Sequence, residues 1–322
     1  RLWQAINGPA YGGQSTLLLN VYTFSPPRAS AALGDVCRVR ICQLNGHPDR
    51  KGHLLMAAAA EVATPALRYK KDGAIAWIIA DNPARMNALT AAMWQALPDA
   101  VSKAVSDPEV RVIVLRGAGE KAFSAGADIS EFENSRTGDA AKTYDALNDA
   151  AFNALIGCPK PTIAMIHGFC LGGGLGLALC CDMRIADDAS QYAIPAAKLG
   201  IGYNARWVRP ILAAVPAARA KELLFTGRRF RSADAEAMGL VSQLVLAADL
   251  EATVRALALE IAANAPLSVA AAKKVIDEIS RHPEQPDMAA LDAVVMACFE
   301  SDDYAEGRRA FLEKRKPEFK GK

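Results

Sequence analysis

From Leu67 onward the chain alternates short apolar runs with longer stretches of helical period, and beyond Trp207 the helical period takes over. Residues 74–80 form a partly β-branched apolar run bounded by Asp72-Gly73 and Asn82-Pro83, which predicts a buried strand. Thr90 can cap a helix reaching about Ser106, with Met93, Leu97, Val101 and Val105 on one face and Pro98 as a kink. Residues 110–115, 161–166, 182–186 and 190–194 read as further short strands, and 139–157 as a helix. Residues 172–181 look helical despite their glycines. The clearest later helices are 233–238, 250–263, 267–279 and 288–299. Strands alternating with helices early, and helices alone late, predict an α/β core followed by a helical C-terminal region. No repeat of fixed period and no low-complexity tract is evident.

Residues 1–55 break this pattern. They mix Gly, Pro, Ser and Arg without steady period and carry six basic residues against two acids. Two readings stay open: a translated upstream region with the start at Met56, or an organelle-targeting peptide. Either way the segment is expected to be poorly ordered and outside the site.

Composition adds exclusions. With 322 residues there is ample length for a buried core, and a net charge of +2 points to neither nucleic acid nor a membrane surface. Seven cysteines without a Cys-x-x-Cys pair predict reduced thiols in a cytoplasmic compartment, or an organelle matrix if residues 1–55 are a targeting peptide. The four histidines show no metal-ligand spacing, and His167, ending an apolar run, reads as structural. The basic ending, Lys314, Arg315, Lys316, Lys320 and Lys322, reads as a solvated tail or as a local contact for a ligand phosphate.

Two segments stand where a strand feeds a turn: residues 122–129 (Ala-Phe-Ser-Ala-Gly-Ala-Asp-Ile) and 167–176 (His-Gly-Phe-Cys-Leu-Gly-Gly-Gly-Leu-Gly). Small residues there let a ligand approach the backbone. At the head of the second helix, amides without internal partners and the helix dipole favour developing negative charge. Two such amides meeting at one oxygen would make an oxyanion hole. The second segment is not a P-loop, because Leu175 stands where Lys would be needed. It is not a dinucleotide fingerprint either, because Leu177 and Leu179 occupy the last glycine place. Close helix packing through glycine is the structural alternative.

The combination of motifs resembles the crotonase (enoyl-CoA hydratase/isomerase) superfamily over roughly residues 67–320. Asp81-Asn82-Pro83-Ala84-Arg85-Met86-Asn87-Ala88-Leu89-Thr90 carries the resemblance first. The segments 123–129 and 168–174 resemble its two oxyanion elements, and 221–227, 237–241 and 311–317 its later signatures. The resemblance implies a spiral of ββα turns over residues 66–260, following an extension at 1–65. It implies a helical oligomerisation region at 261–322 that builds trimers or hexamers. It implies an acyl-CoA thioester whose carbonyl accepts hydrogen bonds from Ala125 and Gly173, with no further cofactor. Arg85, Met86, Ala88, Gly126, Ala127, Asp128, Ile129 and Gly172 would border the substrate, Asp128 by tying down the turn.

The chain departs from the hydratase pattern at both catalytic glutamates. Gly176 stands in the first place and Ala196, after Pro195, in the second. Neither titrates, so hydration through that pair is unavailable. Tyr203-Asn204 resembles a turn of methylmalonyl-CoA decarboxylase, although Ala127 replaces the histidine of that enzyme's first elbow. Tyr203 is therefore either a hydrogen-bond donor in catalysis or pocket lining. Three functions follow as expectations: a hydratase-, isomerase- or lyase-like enzyme using Glu131, Glu133 or Tyr203, a malonyl-type decarboxylase using Tyr203, and an acyl-CoA-binding subunit without turnover.

Overall fold

The larger sheet reads as continuous apolar runs because both of its faces are covered. In the computed structural model, which describes residues 64–131 and 138–322, β1 (Ala66–Asp72) turns at Gly73 into β2 (Ile75–Asp81). There follow α1 (Ala91–Ser106), β3 (Val112–Gly117), β4 (Ala122–Ser124) and α2 (Gly138–Ile156). Next come β5 (Thr162–Ile166), β6 (Phe169–Leu171), α3 (Gly173–Cys180), β7 (Met183–Asp187), β8 (Gln191–Ala193) and α4 (Ala205–Ala214). Then α5 (Ala217–Thr226), β9 (Phe230–Arg231), α6 (Ser232–Met238) and β10 (Gln243–Val245) lead into α7 (Leu250–Ala262). Helices α8 (Pro266–Arg281), α9 (Met288–Phe299) and α10 (Asp302–Glu313) end the chain. The expectations for residues 1–55 and for Glu133 lie outside the described residues.

Three consecutive turns share one plan: a strand of a six-stranded sheet, a strand of a four-stranded sheet, then a helix. They are β3–β4–α2, β5–β6–α3 and β7–β8–α4. The large sheet has the order β1-β2-β3-β5-β7-β10, parallel except for the β1–β2 hairpin. The small sheet runs β4-β6-β8-β9 and places both glycine elbows side by side at the ends of β4 and β6. This is the α/β spiral that the sequence led one to expect.

Strand alternation divides the core in two. Ile75, Trp77, Val112, Val114, Ile163 and Met165 pack on α7 through Leu250, Val254 and Ala258. Their neighbours Ala76, Ile78, Ile113, Leu115, Ala164 and Ile166 face the other way, toward α1, α2 and the small sheet. The observed ends shift by one or two residues from the expected ones, and α1 continues through Pro98. Strand β1 was not expected: its Arg68, Lys70 and Lys71 belong to an edge that, among the described residues, pairs only with β2. Among the described residues no single helix is long and apolar enough to cross a membrane.

Candidate active site

The first elbow is held by asparagines of the preceding loop. Asn87, at a φ of 56°, donates through Nδ2 to Ala118 O at 2.9 Å and Ala122 O at 2.7 Å, and accepts from Asn82 N at 3.1 Å. Asn82 Nδ2 donates to Ala88 O at 2.9 Å. The Ser124 hydroxyl donates to Asn87 O at 2.8 Å and accepts from Gly126 N at 3.1 Å. A buried polar framework thus fixes the 82–88 loop against residues 122–128.

These bonds decide which amide is left for a ligand. Ala125 N donates to Met86 O at 2.9 Å, Gly126 N is engaged by Ser124, and Asp128 N donates to Leu89 O at 2.9 Å. Ala127 N has no acceptor among the described residues. The expected first donor, Ala125, is therefore corrected: its N–H is occupied, and the free one lies two residues on.

The second elbow supplies the partner. Gly172 donates to Ala193 O at 2.8 Å and takes φ 52° and ψ −125°, a conformation in which a side chain is strained. The turn opens α3 at Gly173, whose amide, as the first of a helix, has no internal acceptor. The two free amides are close: a Cβ built on Gly173 would stand 3.8 Å from Ala127 N, and one on Gly126 would stand 3.2 Å from Gly173 N. At Gly173 the same Cβ would meet Trp94 Cζ2 at 3.0 Å, so the indole backs this glycine. Beneath the elbow His167 is buried with Nδ1 3.4 Å from Asp187 Oδ2, an oxygen that accepts from Gly168 N at 3.1 Å.

A pocket of about 100 Å³ opens beside these amides. Of the expected site residues it brings together Ala125, Gly126, Ala127, Ile129, Gly172, Gly173 and Tyr203. Arg85, Met86, Ala88 and Asp128 do not line it. Ala88 is buried in the core, and Arg85 reaches Asp128 Oδ1 at 2.8 Å and Oδ2 at 3.0 Å. Burial raises the Asp128 carboxyl, but the Ser130 hydroxyl and amide and the Arg85 guanidinium outweigh it and hold the group below its ordinary value. Glu131, considered above as a base, accepts from Ala91 N at 2.8 Å and so caps α1 instead.

A model of the enoyl-CoA hydratase/isomerase family matches residues 70–322. The chain belongs to that family. A short-chain-enoyl-CoA hydratase of Clostridium acetobutylicum is 33% identical over 249 residues, 77% of this chain and 95% of that protein. A carnitinyl-CoA dehydratase of Proteus mirabilis is 35% identical over 254 residues, 78% of this chain and 96% of that one. The crystal structure of an enoyl-CoA hydratase/carnithine racemase of Magnetospirillum magneticum matches at a TM-score of 0.77 and 37% identity, over 81% of this chain and 97% of that chain.

Within this family member the space next to Gly176 is filled by an aromatic ring. A Cβ on Gly176 would lie 2.7 Å from Phe152 Cζ. Phe152 is wedged edge-to-face between Trp94, at 5.9 Å, and Trp207, at 6.2 Å. Trp207 Nε1 donates to Asp149 Oδ1 at 2.8 Å, and its ring meets that of Tyr203 at 5.6 Å. An aromatic arc from Tyr203 to Trp94 thus stands behind the pocket. Ala196, on the short helical turn Pro195–Leu199, contributes a methyl group to the same wall. Asn204 turns its side chain to Arg206 N at 3.0 Å and caps α4. Tyr203 is left facing the pocket, its phenol pushed up by burial and, secondarily, by Cys180. Phe152, Trp207 and Asn148 are pocket residues that motif reading did not single out. Asn148 and Phe152 fall at i and i+4 on α2, a spacing that places them on one face.

Proposed function

We propose that this chain is an enzyme that holds an acyl-CoA thioester with its carbonyl oxygen between the amides of Ala127 and Gly173 and stabilises the enolate. Its chemistry is hydratase-, isomerase- or lyase-like, without the usual carboxylate pair. The observation that carries this reading is the pair of unengaged amides, side by side at the head of α3 and open to a small apolar pocket. Developing charge on a thioester oxygen is stabilised by such fixed donors, each contributing roughly 3 kcal/mol when the transition state needs it. The Tyr203 hydroxyl supports the role of a further donor. Arg85, Met86 and Ile129 are exposed and would border the CoA moiety, whereas Ala88 and Asp128 are buried beneath them.

A second reading has a specific observation in its favour. No carboxylate lines the pocket among the described residues. Decarboxylation of a malonyl-type thioester needs no base: the bond from C2 to the carboxylate breaks, its electron pair forms the enolate, and CO₂ leaves. A proton then reaches C2 from solvent or by way of Tyr203. The experiment is incubation with enoyl-, 3-hydroxyacyl- and malonyl-type CoA esters, read by mass spectrometry. Conversion that is lost in Gly173→Pro supports the oxyanion reading, while binding without conversion of any ester leaves an acyl-CoA-binding subunit. Failure of every ester to bind overturns the proposal.

The proposal extends to assembly and setting. Phe311 is 83% exposed and Leu312 80%, beside an apolar groove of about 900 Å³ among α8, α9 and α10, which supports a homotrimer or homohexamer built through these helices. The five cysteines among the described residues are unpaired, which supports a reducing, cytoplasmic setting.

A further inference from the structure

The pocket contains one buried polar side chain that the chemistry above leaves unused. Asn148 projects from α2, is 4% exposed and lines the cavity together with Phe152 and Tyr203. Its Nδ2 donates to Tyr144 O at 2.7 Å. A carbonyl can only accept, so this bond fixes which end of the amide is which and turns Oδ1 away from Tyr144. Oδ1 accepts from no described residue, yet it is not sealed within the protein and keeps access to the cavity. Once a ligand fills the cavity, an acceptor left there without a donor is costly. The remaining wall is Ala, Gly, Ile, Leu, Pro, Phe and Trp, apart from the Tyr203 hydroxyl. A simple alkyl chain would gain nothing from an amide here and would leave its oxygen unpaired. A carboxylate would set acceptor against acceptor. A hydroxyl donates to Oδ1 and can accept from Tyr203 at the same time.

We propose that Asn148 is a specificity-determining residue that selects acyl-CoA thioesters whose chain carries a hydroxyl group, accepting its O–H at Oδ1. This rests on the reading of the cavity as a thioester pocket, and it favours hydroxyacyl over malonyl-type substrates. The small cavity confines the choice to short chains.

The test is calorimetric titration of the full chain with butyryl-CoA, 3-hydroxybutyryl-CoA and 4-hydroxybutyryl-CoA, repeated on Asn148→Leu. The leucine keeps the volume and removes the acceptor. Should that variant not fold, Asn148→Ala provides the same readout. At least one hydroxy ester is expected to bind about tenfold tighter than butyryl-CoA, with the preference falling to parity in the variant. Butyryl-CoA affinity is expected to hold or improve. Hydroxy esters that bind no better than butyryl-CoA, or a preference that survives the substitution, overturn the role of Asn148 alone. If butyryl-CoA and both hydroxy esters all fail to bind, the thioester reading fails and this inference with it.

Discussion

At Gly176 a hydrogen atom stands against Phe152, and this bears on any attempt to rebuild a hydratase. The ring is not free to yield, because Trp94 and Trp207 hold it from both sides. Gly176→Ala is expected to destabilise the protein by about 1–3 kcal/mol, as overpacking of a dense core does. Denaturant titration checks this, and Phe152→Leu in the same chain should recover most of the loss. Crotonyl-CoA hydration by the unmodified protein is expected to be several orders of magnitude below that of glutamate-bearing relatives, since each positioned acid or base contributes about 10²–10⁴. Gly176→Glu with Ala196→Glu needs Phe152→Ala as a third change before the new carboxylate has room. Ordinary hydration by the unmodified chain would refute the assignment of these two positions. Burial disfavours the Tyr203 phenolate, so in the proposed reaction the side chain would act as a donor and not as a base. Tyr203→Phe should lower kcat on an active substrate with little change in the affinity for butyryl-CoA, which has no chain hydroxyl to pair with it. Activity that depends on the hydroxyl should stay flat through the ordinary tyrosine range near ~10 and decline only above it. A kcat unchanged in Tyr203→Phe returns the ring to pocket lining.

The proposed oxyanion site is made by elements more than by side chains: two β-strand ends, two glycine turns and the first turn of α3. Gly126, at a φ of 96°, would bring a Cβ to 2.9 Å from Leu171 O, so the two turns interlock through their backbones. Gly172→Ala is expected to cost roughly 1–3 kcal/mol of stability through strain at its φ and ψ. It should also weaken thioester binding, because Gly172 aims the Gly173 amide. Calorimetry together with thermal melting separates the two effects. A variant that binds a CoA thioester as tightly as the parent would show that the turn does not set the donor. Much of this was legible in the sequence. The buried strands announced themselves as apolar runs, Thr90 as a cap, and the two glycine elbows as paired sites. The resemblance points to Ala125 and not to Ala127 because the choice depends on bonds to Met86 and Leu89, about forty positions away. Strand β1 escaped because its charged residues suit a sheet edge and leave little apolar signal. Phe152, Trp207 and Asn148 escaped because they sit on α2 and α4, which no motif covers. Only the α2 spacing of Asn148 and Phe152 hinted at a shared face.

For the molecule as a whole, the C-terminal helices raise two questions, of assembly and of acid stability. Phe311→Asp with Leu312→Asp should convert the expected oligomer to smaller species in analytical ultracentrifugation, and a parent chain that sediments as a monomer contradicts the assembly proposal. The final residues fold back on α10 through two carboxylates. Asp303 accepts from Lys320 N at 2.6 Å and Gly321 N at 2.8 Å. Glu306 accepts from Glu318 N at 3.1 Å and from both terminal nitrogens of Arg315, at 2.6 and 3.0 Å, with Arg309 as a further partner. Arg315 is thus engaged by the protein's own acids, Glu306 and Glu313. This removes one member of the basic ending from the charges available to a CoA phosphate. The hydrogen bonds from Arg315, then Arg309 and the Glu318 amide, hold the Glu306 carboxyl well below the usual carboxylate range. A group depressed in the folded state stabilises it fully above its unfolded value and loses that contribution as pH falls toward the folded one. The tail should therefore stay docked at neutral pH and loosen below about pH 4. Hydrogen exchange at Glu318 N, Lys320 N and Gly321 N reads this directly. Glu306→Gln should free the Glu318 amide already at neutral pH, while the bonds to Asp303 still slow Lys320 and Gly321. Equal protection of all three amides in parent and variant would mean that packing of Phe319 in the apolar groove, and not the carboxylate, keeps the tail in place.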